Sequence, residues 1–291
     1  MNFSLIQKIR GQSGLILVSP PFFYALLLLA FPLMGVLALS FWTQDYLELN
    51  RGFTLDNYRE AWTGAIYQAL MLRSLKISIL VTLLTVVLAF PVAYFISFHV
   101  PPKKKPLWIF LITIPFWTSY LIRIFLWKVI LGFNGVINGS LIGIGLIDEP
   151  LKFLLFNQGA IVVTLSHAWI PFAILPIYVA LEKIDRSLLE ASEDLGDGPV
   201  RRFIRVTLPL AMPGIIAATL IVFIPTIGDY VTPKLVGGPN GLLIANMIEV
   251  QFKKANNAPL GAALALSAMF VVSTMAMVFL WFNRKYLKQG Q

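Results

Sequence analysis

His99 and His167 are the only imidazoles in the chain, and neither has an acidic or histidine partner three or four residues away, so no metal site of familiar spacing forms around them. Cysteine is absent from the 291 residues, which removes thiol nucleophiles, disulfides and thiolate metal ligands. No G-x-x-x-x-G-K-[ST] phosphate loop occurs, which closes that route to ATP hydrolysis. Gly143-Ile144-Gly145 lacks the third glycine of a dinucleotide fingerprint, and no G-x-S-x-G nucleophile elbow is present. These residue types predict no catalytic residue and no metal. What remains is charge in unusual places. Arg123, Lys128 and His167 lie inside apolar runs, Asp229 and Tyr230 close another, and Glu190–Pro209 (EASEDLGDGPVRRFIRVTLP) packs four carboxylates and three arginines between two oily stretches.

The elements that must position these groups belong in a bilayer. The chain is 58% hydrophobic and 13% charged, with a mean hydropathy of +0.79, whereas a soluble domain averages about 25% charged residues. A spanning helix needs about 20 mostly apolar residues. Windows of that kind predict an all-α membrane protein with six transmembrane helices: Leu15–Phe41, Ile77–Phe98, Leu107–Leu131, Ala160–Ala180, Leu210–Ile227 and Leu260–Phe282. The first run is too long for a signal-peptide core and shows no A-x-A-like exit, so it reads as an uncleaved span. Prolines within spans, among them Pro32, Pro91, Pro115, Pro171 and Pro176, are tolerated in membrane helices and are expected to kink them. No internal repeat appears, and residues 1–291 read as a single transmembrane domain.

Six spans place both termini on one side. Short segments there carry Lys8 and Arg10, the Lys103–Lys105 run, Lys183, Arg186, Arg201, Arg202 and Arg205, and Arg284, Lys285 and Lys288. The opposite loops are longer and hold Arg51, Arg59, Arg73, Lys76, Lys152, Lys234, Lys253 and Lys254. Positive residues in short loops favour the cytoplasm, so the termini and Glu190–Pro209 are expected there. Most of the +9 net charge is thereby topology. No basic stripe interleaved with aromatics points to nucleic acid.

Asp185–Leu195 reads as a helix with Leu188, Leu189 and Ser192 or Leu195 at helical spacing. Gly196 and Gly198 stop it, and Pro199 suits the start of a second short helix. The 185–209 segment is then a stiff knob rather than a loose loop. Trp117, Tyr120 and Ile124 recur along one stripe of the third span, and their rings could face either a cationic solute or a neighbouring helix. Arg123 would repel a polycation and is expected to be a structural or gating ion-pair partner. Asp229 and Tyr230 sit at an external opening, where a carboxylate suits a cationic cargo or a salt bridge to Arg123, Lys128 or Lys234; Glu249 is a further, more solvated candidate. No carboxylate lies mid-span, which counts against a proton- or sodium-coupled carrier, while a passive channel stays open.

Glu190, Ala191, Ser192, Gly196, Val206, Leu208 and Pro209 match the pattern E-A-A-x3-G-x9-I-x-L-P, with Ser192 for the second alanine and Val206 for the isoleucine. The chain therefore resembles the membrane permease subunits of bacterial ABC importers. FTLDNY (Phe53–Tyr58), PFWTSYLIRI (Pro115–Ile124), IDEPL (Ile147–Leu151), LVGGPNGLLIAN (Leu235–Asn246) and QF…PLGAALAL (Gln251–Leu266) extend the likeness, which is closest to spermidine/putrescine-type permeases. The resemblance implies the type I ABC importer fold in the bacterial inner membrane, a second homologous permease subunit, two cytoplasmic ATPase subunits that bind the ATP and Mg, and a periplasmic substrate-binding protein. This chain itself would bind no cofactor and would be no enzyme. Glu190, Ala191, Ser192, Gly196, Leu208 and Pro209 would form the coupling segment. Trp117, Tyr120, Asp229, Tyr230 and Glu249 would line the path of a polyamine, and Phe53–Tyr58, Asp148–Pro150 and Pro233–Asn257 would face the binding protein. Related permeases carry opines, phosphonates, iron or thiamine, so cargo stays open within the class; a stand-alone carrier or channel would lack a co-purifying ATPase and second permease.

Overall fold

The computed structural model describes residues 3–46 and 48–288, with side chains placed for 18–46 and 48–287. The side chains of Lys8, Arg10 and Lys288, which enter the charge argument, lie outside these. The chain is helical almost throughout. In order come α1 (Phe3–Ser40), a small hairpin of β1 (Thr43–Asp45) and β2 (Glu48–Asn50), α2 (Asp56–Thr63), α3 (Ala65–His99), α4 (Lys105–Thr113), α5 (Tyr120–Ile130), α6 (Val136–Gly143), α7 (Gln158–Glu182), α8 (Arg186–Asp194), α9 (Pro199–Arg202), α10 (Leu208–Ile227), α11 (Ile244–Lys253), α12 (Ala258–Phe282) and α13 (Arg284–Lys288).

Among the described residues, five helices are long and apolar enough to cross a bilayer: Val18–Ser40, Ala65–His99, Gln158–Glu182, Pro199–Ile227 and Ala258–Phe282. The sixth expected span differs from its prediction. Instead of one helix over Leu107–Leu131, Pro102–Trp117 and Tyr120–Ile130 are bent by 86° at a break. Pro115 cannot donate a backbone hydrogen bond, and the Thr118 amide and hydroxyl both turn back to its carbonyl at 3.3 and 2.8 Å. Thr118 and Ser119 then run extended, at ψ 142° and 136°, before α5 begins. The other in-span prolines named above remain inside continuous helices.

The second span also starts earlier than expected, at Ala65 rather than Ile77, and its 35 residues extend for about 50 Å. Its first turns carry polar links to the segment before α11: Ser74 Oγ donates to the Leu70 carbonyl and receives the Ile244 amide, while Arg73 reaches the Leu242 carbonyl.

The core is built from α3, α7 and α10. Ile77, Val81, Ala89 and Ala93 pack against Ile161, Leu165, Ile174, Ile177 and Leu181, with Ala211, Ala218 and Val222 completing the layer. Lipid is as apolar as leucine, so close packing has to supply helix association here. Gly214 shows how close: a Cβ there would lie 2.5 Å from the Pro176 carbonyl oxygen and 2.6 Å from the Ala180 Cβ. A second cluster joins α2, α3, α10, α11 and α12 through Ala61, Tyr67, Leu70, Phe223, Ile244, Leu260 and Leu264. The described part of α1 packs mainly along α12, meets α2 through Ser40, and otherwise faces largely outward.

Candidate functional site

Asp185 caps α8, its carboxylate accepting from the Ser187 amide at 3.0 Å. That backbone hydrogen bond, with help from the Ser187 side chain and against slight desolvation, holds its carboxyl below the ordinary range. At the other end Gly196 has φ +85°, its amide donates to the Glu193 carbonyl at 2.8 Å, and the Asp197 amide donates to the Ser192 carbonyl at 3.0 Å. These two bonds form the left-handed helix stop that favours glycine. Ser192, standing where the resemblance has alanine, is buried and donates its hydroxyl to Asp197. Asp197 also holds Arg205 at 3.2 Å and Arg201 at 3.8 Å, while Glu193 pairs with Arg202. Charge in this segment is thus mostly internal bracing. Among the described residues Glu190 and Asp194 make no such pair, and both stay exposed.

The knob differs from its expectation in two respects. α9 is no separate helix, for Pro199–Ile227 runs continuously through a wide turn over Phe203–Thr207, and Leu208 and Pro209 lie inside that helix. The wide turn lets the Leu208 amide reach the Phe203 carbonyl and makes room for Pro209. Secondly, the inward face of α8 is Leu189 and Ser192, whereas Leu188, Ala191 and Leu195 form an exposed stripe with Leu195 86% exposed. Val200 and Ile204 are likewise exposed.

At the opposite end of α10, Asp229 is 9% exposed and fully engaged. One oxygen accepts from the Val231 and Thr232 amides at 2.9 and 3.3 Å; the other accepts the Tyr120 hydroxyl at 2.7 Å. Tyr120 also meets the Thr232 hydroxyl at 2.9 Å. Asp229 therefore ties the corner after α10 to the first turn of α5, and it forms none of the salt bridges considered from sequence. Lys234 pairs with Glu249 instead at 3.2 Å, and Lys253 joins from the other side at 3.1 Å. Burial works against the Glu249 charge, but hydrogen bonds from Lys253 and Lys234 and their charges outweigh it and leave the carboxyl below its usual value.

Trp117 lies before the break and is 82% exposed, so it shares no helix face with Tyr120. Arg123 is likewise corrected: Nε and Nη1 are buried with no hydrogen-bond partner, and among the described residues it makes no ion pair. Tyr230 is half exposed, with the Lys253 ammonium 5.9 Å from its ring centre. A groove of 420 Å³ beside it is lined by Arg73, Lys234, Asn246, Glu249 and Lys253.

Several shaping residues carry little sequence signal. Asn57, within FTLDNY, donates to the Ser40 and Trp42 carbonyls at the end of α1. Asn138 ties the 132–133 and 151 backbone, and Asn246 bridges Leu243 to the Tyr230 carbonyl. A polar amide beside glycine or at a helix start was the available clue.

A protein-family model described as "Binding-protein-dependent transport system inner membrane component" matches residues 9–287. The chain belongs to this family. As an inner-membrane component of that kind it is 38% identical over 249 residues to the spermidine/putrescine transport system permease protein PotB of Escherichia coli, covering 85% of this chain and 90% of the relative. The PotB protein of Haemophilus influenzae is 36% identical over 277 residues, 95% of this chain and 96% of its own. Among solved structures, a bacterial ABC transporter involved in import of the acidic polysaccharide alginate superposes with a TM-score of 0.69 at 18% identity, over 97% of this chain and 99% of that one. The MetNI methionine ABC transporter gives 0.57 at 17% identity, over 75% and 94%. The inner-membrane component therefore has the type I ABC importer permease fold.

Proposed function

We propose that this chain forms part of the translocation path of an ATP-driven polyamine importer. The observation that carries the reading is its 36–38% identity, over most of both chains, to permeases named for spermidine and putrescine transport. In this reading α8 and the Gly196 turn are the coupling segment on the cytoplasmic side, with both termini. The exposed Leu188–Ala191–Leu195 stripe supports it, because apolar residues displayed on an otherwise charged knob fit a protein partner. Glu190 and Asp194 flank the stripe as free charges for that partner, an ATPase subunit. Gly196 makes the turn, and Leu208 and Pro209 pass its movement into α10.

Along the path, Trp117 and Tyr230 offer exposed rings to ammonium groups, a contact of about 0.5–2 kcal/mol each. Tyr120, Asp229 and Glu249 hold the negative, hydrogen-bonded corner beside them. A second permease, two ATPase subunits and a periplasmic binding protein complete the assembly. The test is ATP-dependent uptake of labelled spermidine and putrescine in proteoliposomes holding the cognate assembly. Saturable polyamine uptake supports the reading; uptake of another solute class with none of either polyamine overturns it.

A further inference from the structure

Lys103 and Lys104 are exposed, as a run of positive charge at a membrane edge should be, but Lys105 is tucked in with its side chain 14% exposed. It is the first residue of α4, where the helix dipole disfavours a cation, so helix stability does not explain its place. Its ammonium donates to Glu182 Oε1 at 2.6 Å and to the Ser97 carbonyl at 2.9 Å. Ser97 Oγ donates to the same carboxylate oxygen at 2.7 Å. The Ser97 carbonyl, left free in the last turn of α3, also receives Arg186 Nη2 at 2.9 Å. Arg186 begins α8, lies 3.9 Å from Glu182, and sits 3.9 Å over the Phe98 ring. One carbonyl and one carboxylate thus join the ends of α3, α4, α7 and α8.

α4 has no buried residue of its own. Besides this clasp, its Trp108 ring meets Phe95 edge-on at 5.7 Å. At its far end lies the extended Thr118–Ser119 break, and beyond that α5 is fastened to Asp229 through Tyr120. The inner half of the third span is therefore clasped at its start and packs Phe116 against the Phe172 ring at 4.2 Å just before the break, while the outer half is pinned at its first residue, Tyr120.

We propose that Lys105 and Glu182 are positioning residues that carry displacement of α8 into α4, moving the inner half of the broken span against an outer half held at Asp229. The inference rests on the coupling role proposed for α8. The test reads uptake and ATP hydrolysis on the same reconstituted assembly. Glu182→Gln and Lys105→Gln should each hydrolyse ATP at about the wild-type rate while uptake falls about tenfold; Lys105→Arg should retain both. Because the chain has no cysteine, Lys105→Cys and Glu182→Cys can be joined by a short bifunctional thiol reagent. Joined, the pair should restore uptake; unjoined, it should not. Hydrolysis and uptake falling together in both glutamine variants would reduce the clasp to a brace and overturn the proposal. Wild-type uptake in both would do the same, and so would a joined pair that blocks uptake. Failure of the coupling role would show differently, as Leu195→Glu transporting normally.

Discussion

Two substitutions at Gly196 should rank in opposite orders for strain and for transport. At φ +85° an ordinary L-residue costs about 1–2 kcal/mol, which alanine would meet in full. Aspartate visits the left-handed region several-fold more readily than most residues, so Gly196→Asp should strain the turn less. No atom lies within 4 Å of the Cβ position, so the Cβ of either residue meets no clash inside the chain. Strain alone therefore predicts a loss of about 5- to 30-fold in correctly formed turn for alanine and a smaller one for aspartate. A docked partner reverses the order, because a charged side chain would enter the face that carries the apolar stripe. The assay is initial-rate ATP-driven uptake, with complex yield and thermal melting of the purified assembly alongside. Gly196→Ala should keep measurable uptake while Gly196→Asp loses it, although Gly196→Asp melts at the same or higher temperature. If Gly196→Asp transports as well as Gly196→Ala, the turn is a local conformational device and the docking reasoning is wrong.

Gly214→Ala should lower the melting temperature of the complex, since its Cβ would press into the Pro176 carbonyl and Ala180; overpacking of this kind costs about 1–3 kcal/mol. Tyr120→Phe should cost about 1–3 kcal/mol by leaving Asp229 short of a donor. The double variant with Asp229→Asn should cost less than the sum in chemical denaturation, and strict additivity would contradict the pairing. Glu249 has its carboxyl depressed when folded, so its stabilising bridges to Lys234 and Lys253 are present above the ordinary carboxylate range and are lost as pH falls through the folded value. Melting of the wild type from neutral to acidic pH should therefore fall further than melting of Glu249→Gln.

Hydropathy made five spans legible because their apolar runs are long and the helices follow them. The third resisted: Pro91, Pro171 and Pro176 sit within intact helices, so proline alone does not announce a break, and the difference lies in the local hydrogen bonds of Thr118. Asp185, Gly196 and Pro199 marked the boundaries around α8 because capping and left-handed turns are local chemistry. Which face of α8 stays bare was not legible, since Ser192 is drawn inward by Asp197 while Leu188 and Leu195 are left out. Long-range partners were hidden for the same reason. Tyr120 meets Asp229 across 109 residues and Lys105 meets Glu182 across 77, separations that no spacing rule reads. Arg123 shows the converse: a buried charge in a span suggested an ion pair, and the described residues supply none.

Cross-linking from a single engineered thiol at Leu195 is the most direct probe, because this chain carries no cysteine of its own to compete. With Leu195→Cys in membranes of the intact assembly, a bifunctional reagent admitted to the cytoplasmic face should give one adduct with a nucleotide-hydrolysing subunit. An adduct that forms only when reagent enters from the outer face, or labelling of Leu195→Cys with no ATPase attached, would contradict it.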